Sequence, residues 1–225
     1  MKIIAMSDLH GNLIHVKDRS DAVVIAGDWS PMYIQHDYNS MIKWINDRFM
    51  PWLVSLHTDN IIFIAGNHDL VCKYSYFNDD LSVILKRHSL TSKVHYLNRS
   101  AITINNIKFY GIPDTEGPYT HWAFMKPNGV NYTFDKDTNV LITHQPPNVG
   151  LIGYVSEYNK NLGSANLFQS IHHSNLQLNL CGHIHTGSHS PTNIRLSNGK
   201  YATCYNVSIL DEDYHVAYDY TTVYL

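Results

Sequence analysis

The sequence has few cysteines, few charges and no long apolar run. Three cysteines in 225 residues are an odd number at wide spacing, which argues against a disulfide framework and a Cys-x-x-Cys metal site. Such cysteine use is typical of a reducing compartment, so we expect a cytoplasmic protein. No apolar run reaches the ~18 residues of a membrane helix, so no membrane association is expected. The opening run MKIIAM predicts a buried strand instead of a signal peptide.

Charge of either sign is also scarce. Charged residues make up 16% of the chain, and 16 basic against 19 acidic residues give a net charge of −3 with histidine neutral. This balance offers no basic footprint for sequence-blind binding to nucleic acid. Hydrophobic residues make up 44%, which is enough for a sizeable core and excludes extensive disorder. The length predicts one domain over residues 1–225, and it predicts nothing about the oligomeric state.

Histidine, by contrast, is abundant, with 15 residues. Imidazole is the commonest metal ligand in proteins and the usual general acid or base near neutral pH. A chain rich in histidine and poor in cysteine favours a metal site built from imidazole and carboxylate. Composition alone does not prove such a site, because most histidines lie on surfaces or in satisfied core positions.

Five short runs of β-branched residues or leucine have the length of strands. Each run ends in a residue that can bind a metal ion or a proton. Their continuous apolar character is typical of strands buried on both faces. The runs are Lys2–Met6, Ala22–Ala26, Ile61–Ala65, Val140–Thr143 and Leu176–Cys181.

Helical periodicity lies between these runs. A long amphipathic pattern follows Asp37, a candidate N-cap, and Pro51 within it predicts a kink or break near Met50. Shorter helices are predicted around 81–85 and over Leu162–Ile171. Strands that alternate with helices predict an α/β domain with a mixed sheet, or with two packed sheets.

The remaining segments predict further strands and one long loop. Asn105-Asn106 separates two short apolar runs and predicts a hairpin turn. The tail predicts strands over Tyr201–Asn206, His215–Tyr218 and Thr222–Leu225. The loop from Pro113 to Asn131 carries several aromatic side chains, and two interpretations stay open: a functional loop, or a surface loop whose aromatics complete the core.

The ends of the five runs carry a concentrated set of polar side chains. Ligands bind at the carboxyl ends of strands in open α/β sheets, so we expect these side chains to share one edge. Taken singly, each is explained as a turn residue, a helix cap or a core histidine. Together they indicate a metal site, because buried carboxylates are costly unless they are paired or metal-bound. The set comprises Asp8, His10, Asp28, Asn67, His68, His144, His183 and His185.

The same residues resemble the motifs of the calcineurin-like metallophosphoesterases. The motifs occur in the family's order and cover most of the chain. The resemblance implies an α/β fold of two mixed β-sheets packed face to face and flanked by helices. It rests on Asp8-x-His10, Gly27-Asp28, Gly66-Asn67-His68-Asp69, His144 and Gly182-His183-x-His185.

The resemblance also implies two divalent metal ions. Imidazole and carboxylate ligands suit manganese first, with iron, zinc or nickel as alternatives. One ion would be held by Asp8, His10 and His185. The second would be held by Asn67, His144 and His183, with Asp28 bridging both.

His68 and Asp69 would serve the reaction instead of the metals. The implied reaction is one-step hydrolysis of a phosphoester by in-line attack of a hydroxide that bridges the metals, because two divalent cations lower the pKa of a shared water. His68 would lie beside the scissile phosphate and protonate the leaving group. Asp69 would orient His68 or a neighbouring residue.

Three stretches are similar to the small metallophosphoesterase-domain proteins of animals and bacteria, some of which hydrolyse cyclic nucleotides. They are Ile64–His68, Tyr110–Pro113 followed by Trp122, and Thr143–Pro147. That group has Trp soon after the Pro and often has Gly after the metal-binding His. Here Asp114 and Gln145 stand at those positions, and both departures are expected near the substrate pocket.

We therefore expect a phosphodiesterase for a small or cyclic nucleotide, with the aromatics of Tyr119–Phe124 as candidates for stacking on a base. A phosphomonoesterase for a small metabolite is the first alternative. It would share every ligand and add a cation near the metals, for which Lys126 and Arg195 are candidates. A metal-binding scaffold without catalysis is the alternative from another class.

Overall fold

The computed structural model describes residues 1–119, 121–127 and 129–225. The predicted loop 113–131 therefore contains two positions, Thr120 and Asn128, that lie outside the described residues. Within the described part of the chain, two mixed sheets of five and six strands pack face to face, with helices on their outer faces. This is the fold class that the sequence predicts.

The first sheet carries three of the predicted apolar runs. It is built from β1 (Lys2–Met6), β2 (Ala22–Ala26), β3 (Ile61–Ile64), β4 (Val94–Tyr96) and β15 (Thr221–Tyr224). The strand order is β15-β1-β2-β3-β4. β1 to β4 run parallel, and β15 pairs antiparallel with β1. The carboxyl ends of β1, β2 and β3 therefore meet at one edge.

The second sheet carries the other two runs. It is built from β5 (Ser100–Ile104), β6 (Ile107–Ile112), β9 (Val140–Thr143), β12 (Leu178–Cys181), β13 (Thr192–Arg195) and β14 (Tyr201–Asn206). Its order is β13-β14-β12-β9-β6-β5, with antiparallel strands at both edges. Two minor ribbons pair β7 (Thr115–Glu116) with β8 (Met125–Lys126) and β10 (Tyr154–Val155) with β11 (Lys160–Asn161).

Strand alternation distributes apolar residues between two core layers. In β1, Ile3 and Ala5 point into the layer between the sheets, whereas Ile4 and Met6 point toward the helices. All four are fully buried. Burial of each large aliphatic side chain contributes ~1.5–3 kcal/mol relative to an exposed one. This packing fixes the strand ends that carry the polar residues.

The helices follow the predicted pattern with one difference. Asp37 caps α1 (Tyr38–Trp44) by accepting a 2.6 Å bond from the Ser40 amide. The predicted break near Met50 is a π turn over Ile45–Phe49, after which α2 (Met50–Ser55) continues with Pro51 in its first turn. Because proline has no amide proton, a changed hydrogen-bond ladder accommodates it there.

The other helices and the hairpin also match their predictions. α3 (Phe77–Arg87) contains the predicted segment around 81–85. α4 (Ala165–His172) begins three residues later than predicted, after the N-cap Ser164. A short 3-10 turn covers Leu70–Lys73. Asn105 and Asn106 both have positive φ, of 50° and 64°, in the turn between β5 and β6.

The predicted strand over His215–Tyr218 is wrong. The Asp211 carboxylate accepts bonds from the amides of Asp213 and His215, and Tyr214 has a φ of 61°. These local bonds fold residues 211–215 into a turn, because an aspartate side chain competes for backbone amides. No helix in the described part of the chain has the length and apolar character to cross a membrane.

Candidate functional site

The strand ends of both sheets converge on one edge. Asp8 follows β1, Asp28 follows β2, and Asn67 and His68 follow β3. The second sheet adds His144 after β9, together with His183 and His185 after β12. The structure thus places the predicted polar residues together, since parallel strands present their carboxyl ends on the same side.

Two groups of three side chains have the spacing of metal ligands. In each group, one potential ligand atom per residue lies within 4.8 Å of the others. We call them the outer group and the inner group. The outer group comprises Asp8, His10 and His185, and the inner group comprises Asp28, His144 and His183.

Asp28 lies between the two groups. Its Oδ2 is 3.1 Å from His144 Nε2 and 3.7 Å from His10 Nε2. Asn67 belongs with the inner group, because its Oδ1 is 3.1 Å from His144 Nε2. The backbone amides of His183 and His68 donate to Asp8 and Asp28 respectively. Each carboxylate is therefore oriented by the turn that carries another predicted site residue.

The backbone is strained where the ligands are presented. Asp8, His10, Asp28 and His183 have positive φ values of 56°, 41°, 52° and 69°. Such conformations are uncommon for residues other than glycine and cost of order 1–3 kcal/mol each. The surrounding sheets hold these four residues in place, which is typical of a functional site.

Two glycines let the carboxylates approach the strand ends. A Cβ on Gly66 would lie 2.2 Å from Asp28 Oδ1 and 2.6 Å from His144 Nε2. A Cβ on Gly182 would lie 2.3 Å from Asp8 Oδ2. Any larger residue at either position would force neighbouring atoms to move. Each glycine therefore makes room for one of the two groups.

Backbone carbonyls orient two of the imidazoles. His144 Nδ1 donates to Ala26 O at 2.9 Å, and His185 Nδ1 donates to Asp211 O at 2.9 Å. Because Nδ1 of each ring is used in this way, Nε2 is the nitrogen that is left to bind a metal ion. A metal-binding histidine usually donates the N–H of its other ring nitrogen to an acceptor of this kind.

The site contains two buried carboxylates that stay ionised. Burial works to raise the pKa of Asp8 and of Asp28, but neighbouring histidines hold both well below the usual value. Burial also works to lower the pKa of His144, yet the Asp28 carboxylate raises it to about 9. In contrast, burial lowers the pKa of His183 to about 3 and that of His10 to about 4. In the metal-free site the two negative charges are thus faced by one protonated imidazole, His144, and by the neutral rings of His183 and His10.

This donor set fits divalent metal ions. Among the described residues, no lysine or arginine pairs with Asp8 or Asp28, and no group hydrogen-bonds the buried Nδ1 of His10. Two buried carboxylates that face only imidazoles are costly, and bound divalent cations would offset that cost. Carboxylate, amide oxygen and neutral imidazole are suitable ligands for first-row divalent metals.

His68 and Asp69 occupy different positions in the site. The His68 ring lines the pocket, and its Nδ1 lies 3.1 Å from Gln35 Oε1. Asp69 is fully buried beneath the site, where burial and the Asp28 charge raise its pKa to about 7. Its carboxylate accepts from the backbone amides of Asp28, Ser30 and Gly66. Asp69 therefore holds a neighbouring residue, Asp28, instead of the His68 ring.

The groups open into a cavity of about 370 Å³ whose walls include residues that sequence reasoning missed. Glu157 and Tyr158 come from the turn between β10 and β11, and Glu212 and Tyr214 come from the turn at 211–215. The Tyr214 ring lies edge-on to His10 and to His185, at 5.0 and 5.3 Å between centroids. The positive φ of Tyr214 leaves no periodic signal in the sequence.

The two departures from the related proteins serve the scaffold. Asp114 is buried, pairs with Arg99 and lies 3.8 Å from Lys126. Gln145 is buried and bonds the Glu116 amide and the Leu162 carbonyl. Neither is among the described residues that line the cavity. Gln145 nevertheless directly follows His144 of the inner group, so the expectation that both positions lie near the substrate pocket stays a prediction.

The comparisons with known proteins agree with this geometry. A family model described as Calcineurin-like phosphoesterase matches residues 1–187. Metallophosphoesterase domain-containing protein 1 of Homo sapiens is 26% identical over 208 residues, covering 83% of this chain and 61% of that protein. The Mus musculus protein of the same name gives the same figures. This chain thus spans about three fifths of the length of these curated relatives.

A solved structure supports the fold. One crystal structure matches with a TM-score of 0.64 at 13% sequence identity, covering 91% of this chain and 89% of the other. The family model spans the motifs from Asp8 to His185 and most of the 225 residues. The chain therefore belongs to the calcineurin-like phosphoesterase family, whose members are metal-dependent hydrolases of phosphoesters.

Proposed function

We propose that this protein is a dinuclear metal-dependent phosphodiesterase for a small or cyclic nucleotide. The observation that carries the proposal is the meeting of two three-residue ligand groups at Asp28, in one cavity with His68. The geometry matches the chemistry of the family, in which a phosphoester is hydrolysed.

We assign the ligands to two metal ions as the family resemblance implies. Two divalent cations, manganese first, would supply Lewis-acid stabilisation of charge on the phosphate oxygens when bound. Asp69 acts as a positioning residue, because it fixes the backbone that presents Asp28. One cation would be held by Asp8, His10 and His185. The other would be held by Asn67, His144 and His183, with Asp28 shared.

His68 is the proposed general acid. Its backbone amide is fixed by a 2.7 Å bond to Asp28 Oδ1, and its ring lines the cavity. A proton given from this ring to the leaving oxygen prevents release of an unprotonated alkoxide. The sequence position, directly after Asn67, brings the ring beside the ligand groups without making it a member of either.

The cavity favours a diester over a monoester. Its described lining contains Glu157 and Glu212 and neither lysine nor arginine. The two candidate cations lie elsewhere, since Lys126 is near Asp114 and Arg195 is an exposed residue of β13. A monoester dianion would meet more repulsion from the two glutamates than a diester monoanion. This argues against the phosphomonoesterase alternative.

Aromatic side chains support a nucleotide as the substrate. Tyr158 and Tyr214 line the cavity and are partly exposed, so their faces are accessible to a base. Base stacking on an aromatic ring contributes ~1–3 kcal/mol. Trp122 packs against His68 at 4.2 Å, which places that member of the predicted loop beside the site. A cytoplasmic location stays a prediction, consistent with three buried free cysteines.

The test is manganese-dependent hydrolysis across a panel of p-nitrophenyl phosphate, its bis-ester, and 3′,5′- and 2′,3′-cyclic nucleotides. We expect diester or cyclic-nucleotide turnover by the wild type. His68→Ala should lower turnover of the cyclic nucleotides, whose leaving group is an alkoxide, by ~100-fold or more. His57→Ala, at an exposed position, is the matched control and keeps full activity. Turnover of monoesters alone would favour the phosphatase. A folded protein that binds both metals and hydrolyses none of the panel would favour the scaffold.

A further inference from the structure

Gln35 is a buried glutamine that contacts the proposed general acid. It lies in the turn before α1, 33 residues from His68 in sequence, and is 6% exposed. Its Oε1 accepts a 3.1 Å hydrogen bond from His68 Nδ1. A buried amide is costly without such a partner. The turn that carries it is closed by the Asp37 amide bonding the Ile34 carbonyl at 2.9 Å.

Trp122 holds the same imidazole from a second direction. The two ring centroids are 4.2 Å apart, and the planes are tilted by 52°. The loop that carries Trp122 is tied to the strand end, because the Ala123 amide bonds the Asn67 carbonyl at 3.0 Å. The His68 ring thus has a hydrogen bond on one nitrogen and an aromatic wall, while the ring itself borders the cavity.

The hydrogen bond determines which nitrogen exchanges a proton. An acceptor at Nδ1 keeps a proton on that atom and leaves Nε2 as the nitrogen that gains and loses one. A glutamine does this without adding a negative charge, whereas a carboxylate would add one. A glutamine at position 35 therefore affects the orientation and the tautomer of the His68 ring.

We propose that Gln35 is a positioning residue that accepts from His68 Nδ1–H and so directs Nε2 toward the leaving oxygen, to which the doubly protonated ring delivers its Nε2 proton. This rests on the proposed function of His68. In the step, a water oxygen bonds to phosphorus and its proton passes to solvent. The bond to the leaving oxygen breaks with its electron pair, that oxygen takes the proton from Nε2, and His68 regains a proton from solvent.

The dependence on the leaving group separates this role from a purely structural one. An alkoxide needs the proton, whereas p-nitrophenolate leaves well without it. We compare p-nitrophenyl and alkyl esters of whichever phosphoester class the wild type hydrolyses. Gln35→Met, which keeps the size and removes the acceptor, should lower kcat for the alkyl ester by ~10-fold or more, with KM little changed. The p-nitrophenyl ester should be affected much less.

Gln35→Glu serves as the rescue variant, since it restores an acceptor oxygen and should recover most of the alkyl-ester kcat. A readout independent of activity is NMR of the His68 ring nitrogens in the metal-free protein. We expect the Nδ1–H tautomer in the wild type and a shift toward Nε2–H in Gln35→Met. Equal loss on both esters, or an unchanged tautomer, would overturn the proposal.

His68→Ala separates this proposal from the proposed function. If His68→Ala retains alkyl-ester turnover, His68 is not the general acid, and the proposed role of Gln35 in positioning it is wrong as well. If His68→Ala loses turnover but Gln35→Met does not, the general acid stands and the positioning role of Gln35 is wrong. Matching thermal unfolding of Gln35→Met and wild type verifies that the variant is folded.

Discussion

The inner and outer groups contain the same ligand types but are held in different ways. His144 of the inner group is fully buried and bonds the carbonyl of Ala26, the last residue of the core strand β2. His185 of the outer group is 11% exposed in its side chain and bonds the carbonyl of Asp211, in a loop near the C-terminus. One imidazole of the inner group is thus held by the sheet core, and one imidazole of the outer group is held by a surface turn.

This difference indicates where the site can vary. The inner anchor lies within the residues that match the family, 1–187, whereas Asp211 and Tyr214 lie beyond them. A core anchor is coupled to the stability of the sheets, while a turn can open locally at a lower free-energy cost. We therefore expect the inner group to be the more rigid metal site and the outer group to be the more easily perturbed one.

The largest effect should come from Asp28→Asn, because Asp28 touches both groups. We expect turnover to fall by more than ~100-fold, because loss of a shared ligand should cost more than the ~10–100-fold that loss of a group hydrogen-bonded to a ligand costs a metal site. Metal content should fall below that of the wild type, measured by elemental analysis of the purified protein. Asp213→Asn, at an exposed carboxylate, is the control and should match the wild type. A fully metal-loaded, active Asp28→Asn variant would refute the shared position of Asp28.

Substitutions of Gly66 and Gly182 should perturb the two ligand groups one at a time. Gly66→Ala places a methyl against Asp28 and His144, whereas Gly182→Ala places one against Ser7 and Asp8. We expect each variant to lose ~10–100-fold in activity and mainly one metal ion. Anomalous scattering from manganese-soaked crystals would show the outer ion in Gly66→Ala and the inner ion in Gly182→Ala. Loss of both ions in both variants would mean that the two groups form one unit.

Much of this site could be predicted from the sequence because its ligands follow buried strands. Apolar runs locate β1, β2 and β3, and each polar residue after them falls at the same sheet edge. The family resemblance then implies two ligand sets, and the geometry brings together one group of Asp8, His10 and His185 and another of Asp28, His144 and His183. The proposal of one domain over residues 1–225 stays a prediction.

The positions of Gln35 and Tyr214 could not be predicted from the sequence, because turns place these two residues. Gln35 reaches His68 through a turn that has no apolar periodicity. Tyr214 enters the cavity only because Asp211 folds residues 211–215 back on themselves, which also explains the wrong strand over His215–Tyr218. Such placements depend on side-chain bonds to backbone amides, and sequence patterns do not report them.

A smaller effect is expected from Asp211→Ala, which tests the outer anchor alone. The Asp211 carboxylate accepts from the Asp213 and His215 amides, at 3.0 and 2.8 Å, and so holds the turn whose carbonyl orients His185. Without it we expect about tenfold weaker binding of one metal ion and unchanged binding of the other. Titration with manganese, followed by calorimetry, resolves the two affinities. Equal weakening of both ions would contradict the separation of the groups.

The smallest effect concerns the pH dependence of metal binding at the inner group. In the metal-free protein, Asp28 raises the pKa of His144 from 6.5 to about 9, against the effect of burial. The folded pKa lies above the ordinary one, so the stabilisation by this ion pair is fully present below pH 6.5 and is lost as the pH rises through about 9.

A metal ion must displace that proton, because only neutral imidazole binds metal. We therefore expect proton release on loading near neutral pH, and affinity at the inner group that rises about threefold per half pH unit below the pKa. Calorimetry in buffers of different ionisation enthalpy measures the released protons. Asp28→Asn should reduce the release, since it removes the charge that holds the proton on His144. Proton release that stays at the wild-type level in that variant would place the displaced proton on another group.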